Sequence, residues 1–362
     1  MKTLANLLFA VSLIILLPIP GNSCTTFVLK DSKGHVVFGR NFDFPAGYGH
    51  MHVNKRGQLK SSLPVPGEEV VEWVSRYGSV TFNQGGREFP YGGMNEAGLV
   101  IELMWLQEAQ YPPHDDRHGL MELQWVQYNL DNAASVREVI ANNKLIRITD
   151  KATAPLHFLV ADRSGDVATI EFLDGKMVVH RGENLPYTVL ANCTYETSVD
   201  FKSNKDMGTD REFTGWTNNS SGRFAEAASM VQDYDESEYD MVDYAFVVLD
   251  SVAQHPGTVW SIVYDISNAA ISFKTVVNKE IRDISFADLD FSCEAANLYA
   301  DLDLFDGKAE SLKEITVEAN LDCINKVFDN VDFLRDNVTP ELRQGTAVYF
   351  QSVKCQAMIN EQ

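Results

Sequence analysis

The sequence Cys24-Thr-Thr-Phe-Val-Leu-Lys30 is followed by a polar corner, Asp31-Ser-Lys-Gly34, and then by His35-Val-Val-Phe-Gly-Arg-Asn-Phe-Asp43. Two runs rich in β-branched and aromatic residues, joined by a short polar segment with a glycine, predict a β-hairpin. A turn at the middle of the corner would place Cys24 opposite Asn41.

The register of this hairpin decides which side chains lie beside Cys24. With Cys24 opposite Asn41, Asp43 shares the face of the cysteine. A slip of one residue gives that face to Arg40 instead, because side chains alternate along a strand. We therefore predict that Arg40 and Asp43 both lie close to Cys24, and we leave the choice of face open. Without this context, the two charges would form an ordinary surface ion pair.

Residues 1–23 have the pattern of a signal peptide. Lys2 precedes an apolar run over residues 4–17, which is too short to span a bilayer. Gly21 and Ser23 are the small residues expected before a cleavage site, so the sequence predicts a secreted or periplasmic protein whose mature chain begins at Cys24. A lipoprotein signal also leaves a cysteine first, but it favours a leucine at the position of Gly21. We therefore expect no membrane anchor.

A cysteine at a mature N-terminus carries a thiol and an α-amine on one residue. Their ordinary pKa values are about 8.5 and about 7.7–8.0, so the amine can serve as the base for its own thiol. A nucleophile with an adjacent base is the usual requirement for covalent amide cleavage. Asp43 would hold the α-ammonium, and Arg40 would lower the pKa of the thiol. The eight histidines show no catalytic or metal-ligand spacing, and we expect no metal and no organic cofactor.

The charge balance argues against nucleic acids and anionic lipids as partners. The 362 residues include 51 acidic and 30 basic side chains, and the formal charge of −21 would repel nucleic acids and anionic lipids.

Five cysteines in an exported chain favour disulfides. With Cys24 set aside, two bridges in three connectivities are open to Cys193, Cys293, Cys323 and Cys355. We expect at least one of them to hold the C-terminal segment.

Strand and helix patterns follow one another along the chain and imply a layered α+β fold. Strands are expected near residues 70–74, 98–103, 157–161, 167–172, 176–179, 188–191, 259–264 and 270–276, and helices near 120–130, 134–142, 224–232 and 241–251. At about Asp288 the composition becomes acidic and helix-favouring. Residues 289–362 are therefore expected to form a mainly helical C-terminal extension.

Six short motifs complete the pattern: Cys24-Thr25, Gly39-Arg-Asn-Phe-Asp43, Gly93-Met-Asn-Glu-Ala-Gly-Leu99, Leu190-Ala-Asn192, Gly222-Arg-Phe224 and Thr258-Val-Trp260. In this order and behind a leader, they resemble the choloylglycine hydrolases of the N-terminal-nucleophile superfamily, which include bile salt hydrolases and penicillin V acylases. The resemblance covers about residues 24–288. It implies one amidohydrolase domain with a four-layer αββα sandwich, in which two packed antiparallel sheets lie between helical layers.

The resemblance also implies catalytic roles for Cys24, Arg40, Asp43, Asn192 and Arg223. Cys24 would be the nucleophile, with Arg40 and Asp43 beside its thiol and amine. Asn192 would donate its side-chain amide to the oxyanion, and a backbone N–H at Trp105 would be the second donor. Arg223 would complete the polar cluster. Cys193, next to Asn192, is interpreted as a bridged or buried thiol.

Trp105 is the clearest departure from the bile-salt pattern, in which an asparagine is common at this position. An aromatic residue there, with Phe42 and Phe44 nearby in sequence, favours an aromatic or aliphatic acyl group through apolar burial. The resemblance therefore implies hydrolysis of an N-acylated small molecule, with penicillin V or acyl-homoserine lactones favoured over conjugated bile salts.

Two other functions stay open at this stage. One is an acyltransferase of the penicillin-biosynthesis type, whose processed chain also opens with Cys-Thr-Thr. The other is a catalytically silent secreted binding protein that keeps the pocket. The oligomeric state is open as well: only 31 positions separate Asn192 from Arg223, so the tetramer-forming insertion of the family is shortened or missing, and a homo-oligomer is neither required nor excluded.

Overall fold

The structure is a computed structural model that describes residues 24–209 and 214–356. The predicted signal peptide, residues 1–23, and the last part of the predicted extension, residues 357–362, lie outside the described residues. Within the described ranges, no helix combines the length and the apolar character needed to cross a bilayer. No group of three or more His, Cys, Asp or Glu side chains in those ranges is placed to hold a metal ion.

Every strand and helix predicted before residue 288 has a counterpart in the structure, and the described chain adds seven strands and one helix there that were not predicted. The strands are β1 Thr25–Lys30, β2 Val36–Asp43, β3 His50–Asn54, β4 Gln58–Ser61, β5 Glu72–Val74, β6 Ser79–Asn83, β7 Gly92–Asn95, β8 Val100–Trp105, β9 His118–Leu120, β10 Ile146–Ile148, β11 Leu156–Ala161, β12 Val167–Leu173, β13 Lys176–Arg181, β14 Val189–Leu190, β15 Thr258–Asp265, β16 Ala270–Thr275, β17 Arg282–Ser285, β18 Leu298–Asp301, β19 Lys313–Glu314 and β20 Lys354–Cys355. The helices are α1 Glu122–Asn132, α2 Val136–Asn142, α3 Tyr195–Asp206, α4 Gly215–Gln232, α5 Met241–Ser251, α6 Val317–Asp329, α7 Asp332–Asn337 and α8 Pro340–Val348. Helix α4 begins earlier than expected because the Thr214 side chain caps it, accepting a hydrogen bond from the backbone N–H of Thr217.

Most of the described strands form two large antiparallel sheets. The six-stranded sheet has the order β14-β1-β2-β15-β16-β17, and the nine-stranded sheet has the order β13-β12-β11-β8-β7-β6-β3-β18-β19. Between them, Phe82 of β6 packs against Tyr264 and Phe273, with ring centroids 6.1 Å and 5.6 Å apart. Helices α4 and α5 contact the six-stranded sheet, and α1 contacts the other. This confirms the α+β fold with its four-layer αββα sandwich.

The hairpin formed by β1 and β2 has a different register from the predicted one. Thr25 pairs with Asn41, so the predicted pairing of Cys24 with Asn41 is wrong by one residue. The cause is the corner, where the Asp31 carboxylate accepts hydrogen bonds from the backbone N–H groups of Lys33 and His35 at 2.9 Å and 2.8 Å. These bonds centre the loop on Lys33. Arg40, rather than Asp43, therefore shares the face of Cys24.

The chain beyond residue 288 is tied to the sandwich. Strand β18 pairs with β3 in the nine-stranded sheet, and helices α6 to α8 follow it. The Asn320 side chain accepts a hydrogen bond from the backbone N–H of Arg87 at 3.0 Å and donates one to the Ala347 carbonyl at 2.9 Å. The boundary at residue 288 stays a prediction, but the helical extension shares a strand and hydrogen bonds with the sheets.

One disulfide fixes the extension, as the sequence predicted. It joins Cys293 to Cys355, whose Cα atoms lie 5.5 Å apart. The second expected bridge is wrong, because Cys193 and Cys323 are free and buried. Cys193 follows β14 of the six-stranded sheet, whereas Cys323 lies in α6, so the fold does not bring the two thiols together.

Candidate active site

Cys24 lies directly before β1, at the open end of the hairpin, and only 6% of it is exposed. Its Sγ atom is 4.0 Å from the backbone oxygen of Asp43. Burial raises the pKa of the Cys24 thiol, and the positive charge of Arg40 is the main influence in the opposite direction. A thiolate at this position therefore depends on the cations around it.

Arg40 lies on β2 and is almost completely buried. One of its nitrogens, Nη1, donates to the Tyr91 carbonyl at 3.0 Å and forms an ion pair with Glu102. The guanidinium carbon lies 4.9 Å from the centre of the Phe42 ring. Within the described chain, Nε and Nη2 of Arg40 have no hydrogen-bond partner, so the guanidinium keeps donors for a thiolate or a ligand.

Glu102 is a buried charged residue beside the site that the sequence analysis missed. It is fully buried on β8, where it pairs with Arg40 and accepts a hydrogen bond from the Tyr264 hydroxyl. Gly92 stands directly opposite on β7, and a Cβ atom at that position would overlap the Glu102 carboxylate. A single acid within the apolar strand Val100–Trp105 was the available signal, because a buried charge needs a partner.

Asp43 and Arg223 complete the polar surroundings of Cys24. Asp43 ends β2, and its Oδ2 atom accepts a hydrogen bond from the side-chain amide of Gln254 at 3.1 Å. Burial raises the pKa of Asp43, and a hydrogen bond from Thr258 and the charge of Arg223 act against that rise. Arg223, on α4, donates from Nη1 to the Cys24 carbonyl at 2.7 Å and to the Thr25 hydroxyl. It therefore fixes the backbone that carries the thiol.

Asn192 lies across from Cys24. Strands β1 and β14 pair Thr26 with Leu190, and the same register continued for two residues places Asn192 opposite Cys24. The Asn192 backbone N–H donates to the Ser220 hydroxyl at 2.8 Å, and its Nδ2 atom donates to the Trp105 carbonyl, also at 2.8 Å. A carboxamide has two N–H donors, so one stays available for a ligand.

A buried His–Glu pair holds the peptide before Asn192, and the sequence analysis did not identify it. His157 on β11 makes a hydrogen bond from Nε2 to the Ala191 carbonyl at 2.7 Å. Its Nδ1 atom lies 3.1 Å from Glu171, which also accepts the backbone N–H of Tyr195 at 3.0 Å. These contacts fix both ends of the turn that carries Asn192.

The aromatic residues predicted for the acyl site divide into two groups. The Phe42 ring stacks on Phe44 with 5.4 Å between centroids and also contacts Tyr91 and Trp260, at 5.6 Å and 4.6 Å. The Trp105 ring packs instead against the core between β8 and α1. The structure therefore brings the backbone of Trp105 to Asn192, and the substrate-binding role of its ring stays a prediction.

Comparisons with known proteins agree on one family. The family described as linear amide C-N hydrolases, choloylglycine hydrolase family, matches residues 24–299. A penicillin V acylase of Pectobacterium atrosepticum is 34% identical over 182 residues, which are 46% of this chain and 48% of that protein. The match to this curated relative thus spans about half of the relative's length.

Two solved structures are similar over most of the chain. Penicillin V acylase from Agrobacterium tumefaciens has a TM-score of 0.67 and 29% identity, covering 81% of this chain and 98% of its own. A mutant of the conjugated bile acid hydrolase from Clostridium perfringens has a TM-score of 0.61 at 18% identity, covering 79% and 98%, and it shows the shared fold. Because the family match begins at Cys24 and covers most of the 362 residues, this chain belongs to the choloylglycine hydrolase family of linear amide C–N hydrolases.

Proposed function

We propose that this protein hydrolyses the amide bond of an N-acylated small molecule, with Cys24 as the N-terminal nucleophile after residues 1–23 are removed. The observation that carries the proposal is the grouping of Arg40, Asp43 and Arg223 around Cys24, with Asn192 across from it. A thiol with neighbouring cations and a fixed amide donor are the parts that a thioester mechanism needs.

In the first step, the Cys24 sulfur attacks the carbonyl carbon of the substrate amide. The α-amine of Cys24 accepts the thiol proton and then gives it to the departing nitrogen, so the C–N bond breaks as a thioester remains. Negative charge develops on the carbonyl oxygen, where the free N–H of the Asn192 side chain and a backbone N–H at Trp105 donate. One such donor lowers the barrier by about 3 kcal/mol.

In the second step, water replaces the amine. The α-amine removes a proton from the water as its oxygen attacks the thioester, and the acid leaves as the sulfur regains its proton. Arg223 keeps the Cys24 carbonyl in place through both steps, because its hydrogen bond involves an atom that does not react. Transfer to an added amine instead of water would indicate the acyltransferase.

The aromatic cluster of Phe42, Phe44 and Tyr91 supports an apolar acyl group at the site. Two of the relatives are penicillin V acylases. We therefore favour penicillin V or an acyl-homoserine lactone over a conjugated bile salt. Because the proposed leader precedes Cys24, we place the reaction outside the cytoplasm.

The test uses the secreted mature protein, its Cys24→Ala variant and a panel of penicillin V, N-acyl-homoserine lactones and glycine-conjugated bile salts. We expect amine release by the wild type alone, and intact-mass spectra with an N-terminal Cys24 that gains one acyl group. Equal amine release by both proteins on every substrate would refute the proposal. A lipid on Cys24, or a mature chain that starts elsewhere, would refute it as well.

A further inference from the structure

Part of the C-terminal extension lies against the aromatic residues near Cys24. Val327 on α6 and Val331 at the start of α7 form a buried cluster with Ala46, which follows β2 in the chain. Phe328, Phe333 and Leu334 pack against the same cluster from the extension. We call Val327, Phe328, Val331, Phe333 and Leu334 the α6–α7 corner. All five residues lie beyond residue 299, where the family match ends.

Phe44 connects this corner to the nucleophile. Its ring packs against the cluster of the corner, stacks on Phe42 and meets Tyr91 with centroids 6.4 Å apart. Phe42 in turn stands opposite Cys24 when the β1–β2 register is continued by one residue. A continuous series of packed apolar side chains, Phe42 and then Phe44, therefore connects the Cys24 sulfur with the α6–α7 corner.

The corner is held firmly by contacts elsewhere in the extension. Arg343 on α8 makes an ion pair with Asp329, at the end of α6, with 2.6 Å between Nη1 and Oδ1. Strand β20 pairs with β4, and the disulfide between Cys293 and Cys355 closes the segment that contains the corner. A wall anchored at both ends resists displacement, so its side chains are able to limit the space beside Phe44.

We propose that the α6–α7 corner is the outer wall of the acyl-binding site and limits the size of the acyl group by holding Phe44 in place. This rests on the proposed amidohydrolase function. The five side chains of the α6–α7 corner are aliphatic or aromatic, so the part of the substrate at this end is the apolar tail of the acyl group. The charged or polar amine part lies at the Cys24 end.

Selectivity of the mature Val327→Ala enzyme tests the proposal. The variant removes two buried methyl groups behind Phe44, and we expect the ratio of kcat/KM for a long acyl group to that for a short one to rise about tenfold. N-acyl-homoserine lactones of graded length, or N-acyl glycines of the same lengths, supply the series. Val327→Ile adds a methylene at the same place and is expected to shift the ratio the other way.

Ile324→Ala is the matched control. Ile324 is buried on the same helix, one turn earlier, but it approaches Gly86 and is not part of the corner cluster. The control loses three buried carbons, one more than Val327→Ala, and should still keep the wild-type ratio. The Phe44→Ala variant should change the ratio by itself, and adding Val327→Ala to it should have little further effect, because the corner acts through that ring.

The outcomes separate this inference from the function on which it rests. Wild-type protein with no activity above Cys24→Ala refutes the amidohydrolase. If the wild type is active but both folded Val327 variants keep its ratio of kcat/KM for long and short acyl groups, only the proposed wall is refuted. The wall is also refuted if the Ile324→Ala control shifts that ratio as much as Val327→Ala does. Opposite shifts in the two Val327 variants, with the control unchanged, support the wall.

Discussion

Arg40 interacts with two ionisable groups, the Cys24 thiol and the buried Glu102 carboxylate. Its guanidinium opposes the rise that burial causes in the pKa of the Cys24 thiol, while Glu102 pairs with the same group from the other sheet. The carboxylate therefore weakens the influence of Arg40 on the sulfur at the same time as it fixes the guanidinium in position. The balance of these two effects sets the pH at which the thiolate forms.

The Glu102→Gln variant should separate the two effects. Loss of the negative charge leaves the Arg40 charge uncompensated, so the pH midpoint for alkylation of Cys24 by iodoacetamide is expected to move to lower pH. The variant should also be less stable by about 3–5 kcal/mol, because a buried ion pair loses one partner. The Tyr264→Phe control keeps both charges and should leave the midpoint unchanged. An unshifted midpoint in folded Glu102→Gln would contradict this role.

Asn192→Ala should slow the chemical step more than it weakens binding. The free N–H of Asn192 is assigned to the oxyanion, which exists only in the transition state, so we expect kcat to fall about 100-fold to 1000-fold with a small change in KM. Steady-state kinetics with penicillin V measure both constants. Ser220→Ala, which removes only a contact to the backbone of Asn192, should have a smaller effect. An equal fall in both variants would argue against direct donation.

The residues that sequence motifs indicated are those to which we assign the proposed reaction. Cys24, Arg40 and Asn192 stand in short motifs of fixed order, and the structure groups them. Glu102 and His157 make contacts with residues that are far away in sequence, so no local motif identifies those partners. Their one local signal is a charged or polar residue within an apolar strand, which shows burial but not the partner.

At the level of elements, each strand and helix that periodicity predicted is present, but helix α3, several short strands and the hairpin register were not predicted correctly. Apolar alternation identifies a strand over several residues, so an error of one position at its end matters little. Register depends on the loop, where the side-chain hydrogen bonds of Asp31 add a residue that a simple turn would lack. This one extra loop residue shifts the register by one position, and the shift places Arg40 rather than Asp43 on the same face as Cys24.

The disulfide should contribute strongly to the stability of the extension. Its cysteines are 62 positions apart, and closing a loop of that length stabilises the folded state by about 4 kcal/mol in the chain-entropy description. We expect a protein with Cys293→Ser and Cys355→Ser to melt at a lower temperature in calorimetry. Dithiothreitol should lower the Tm of the wild type and leave that of the double variant unchanged. Equal sensitivity of both proteins to the reductant would show that another thiol is responsible.

For the whole molecule, two buried histidines predict loss of stability in acid. Burial lowers the pKa of His50 to about 4 and that of His52 well below its usual value, with Asp301 opposing the effect at His50. Between pH 6.5 and 4 the unfolded chain therefore binds protons that the folded protein does not, and stability falls as the pH falls. His50 alone accounts for about 3 kcal/mol over this window.

Chemical denaturation at several pH values measures this loss. The His50→Gln variant should lose less stability than the wild type between pH 6.5 and 4, because its side chain takes up no proton on unfolding. His35→Gln is the control, since His35 is an exposed histidine on the hairpin. Parallel stability curves for the wild type and His50→Gln would contradict the assignment.

The bridge between Cys293 and Cys355 also has a consequence for the order of events during biosynthesis. Cys24, Arg40 and Asn192 precede Cys293 in the chain, so the catalytic group is synthesised before the second cysteine of the bridge leaves the ribosome. An oxidant then has to join the two sulfurs before the α6–α7 corner is secured. In a reducing compartment, the proposed catalytic residues would therefore be grouped while the segment that carries the α6–α7 corner lacked its covalent link.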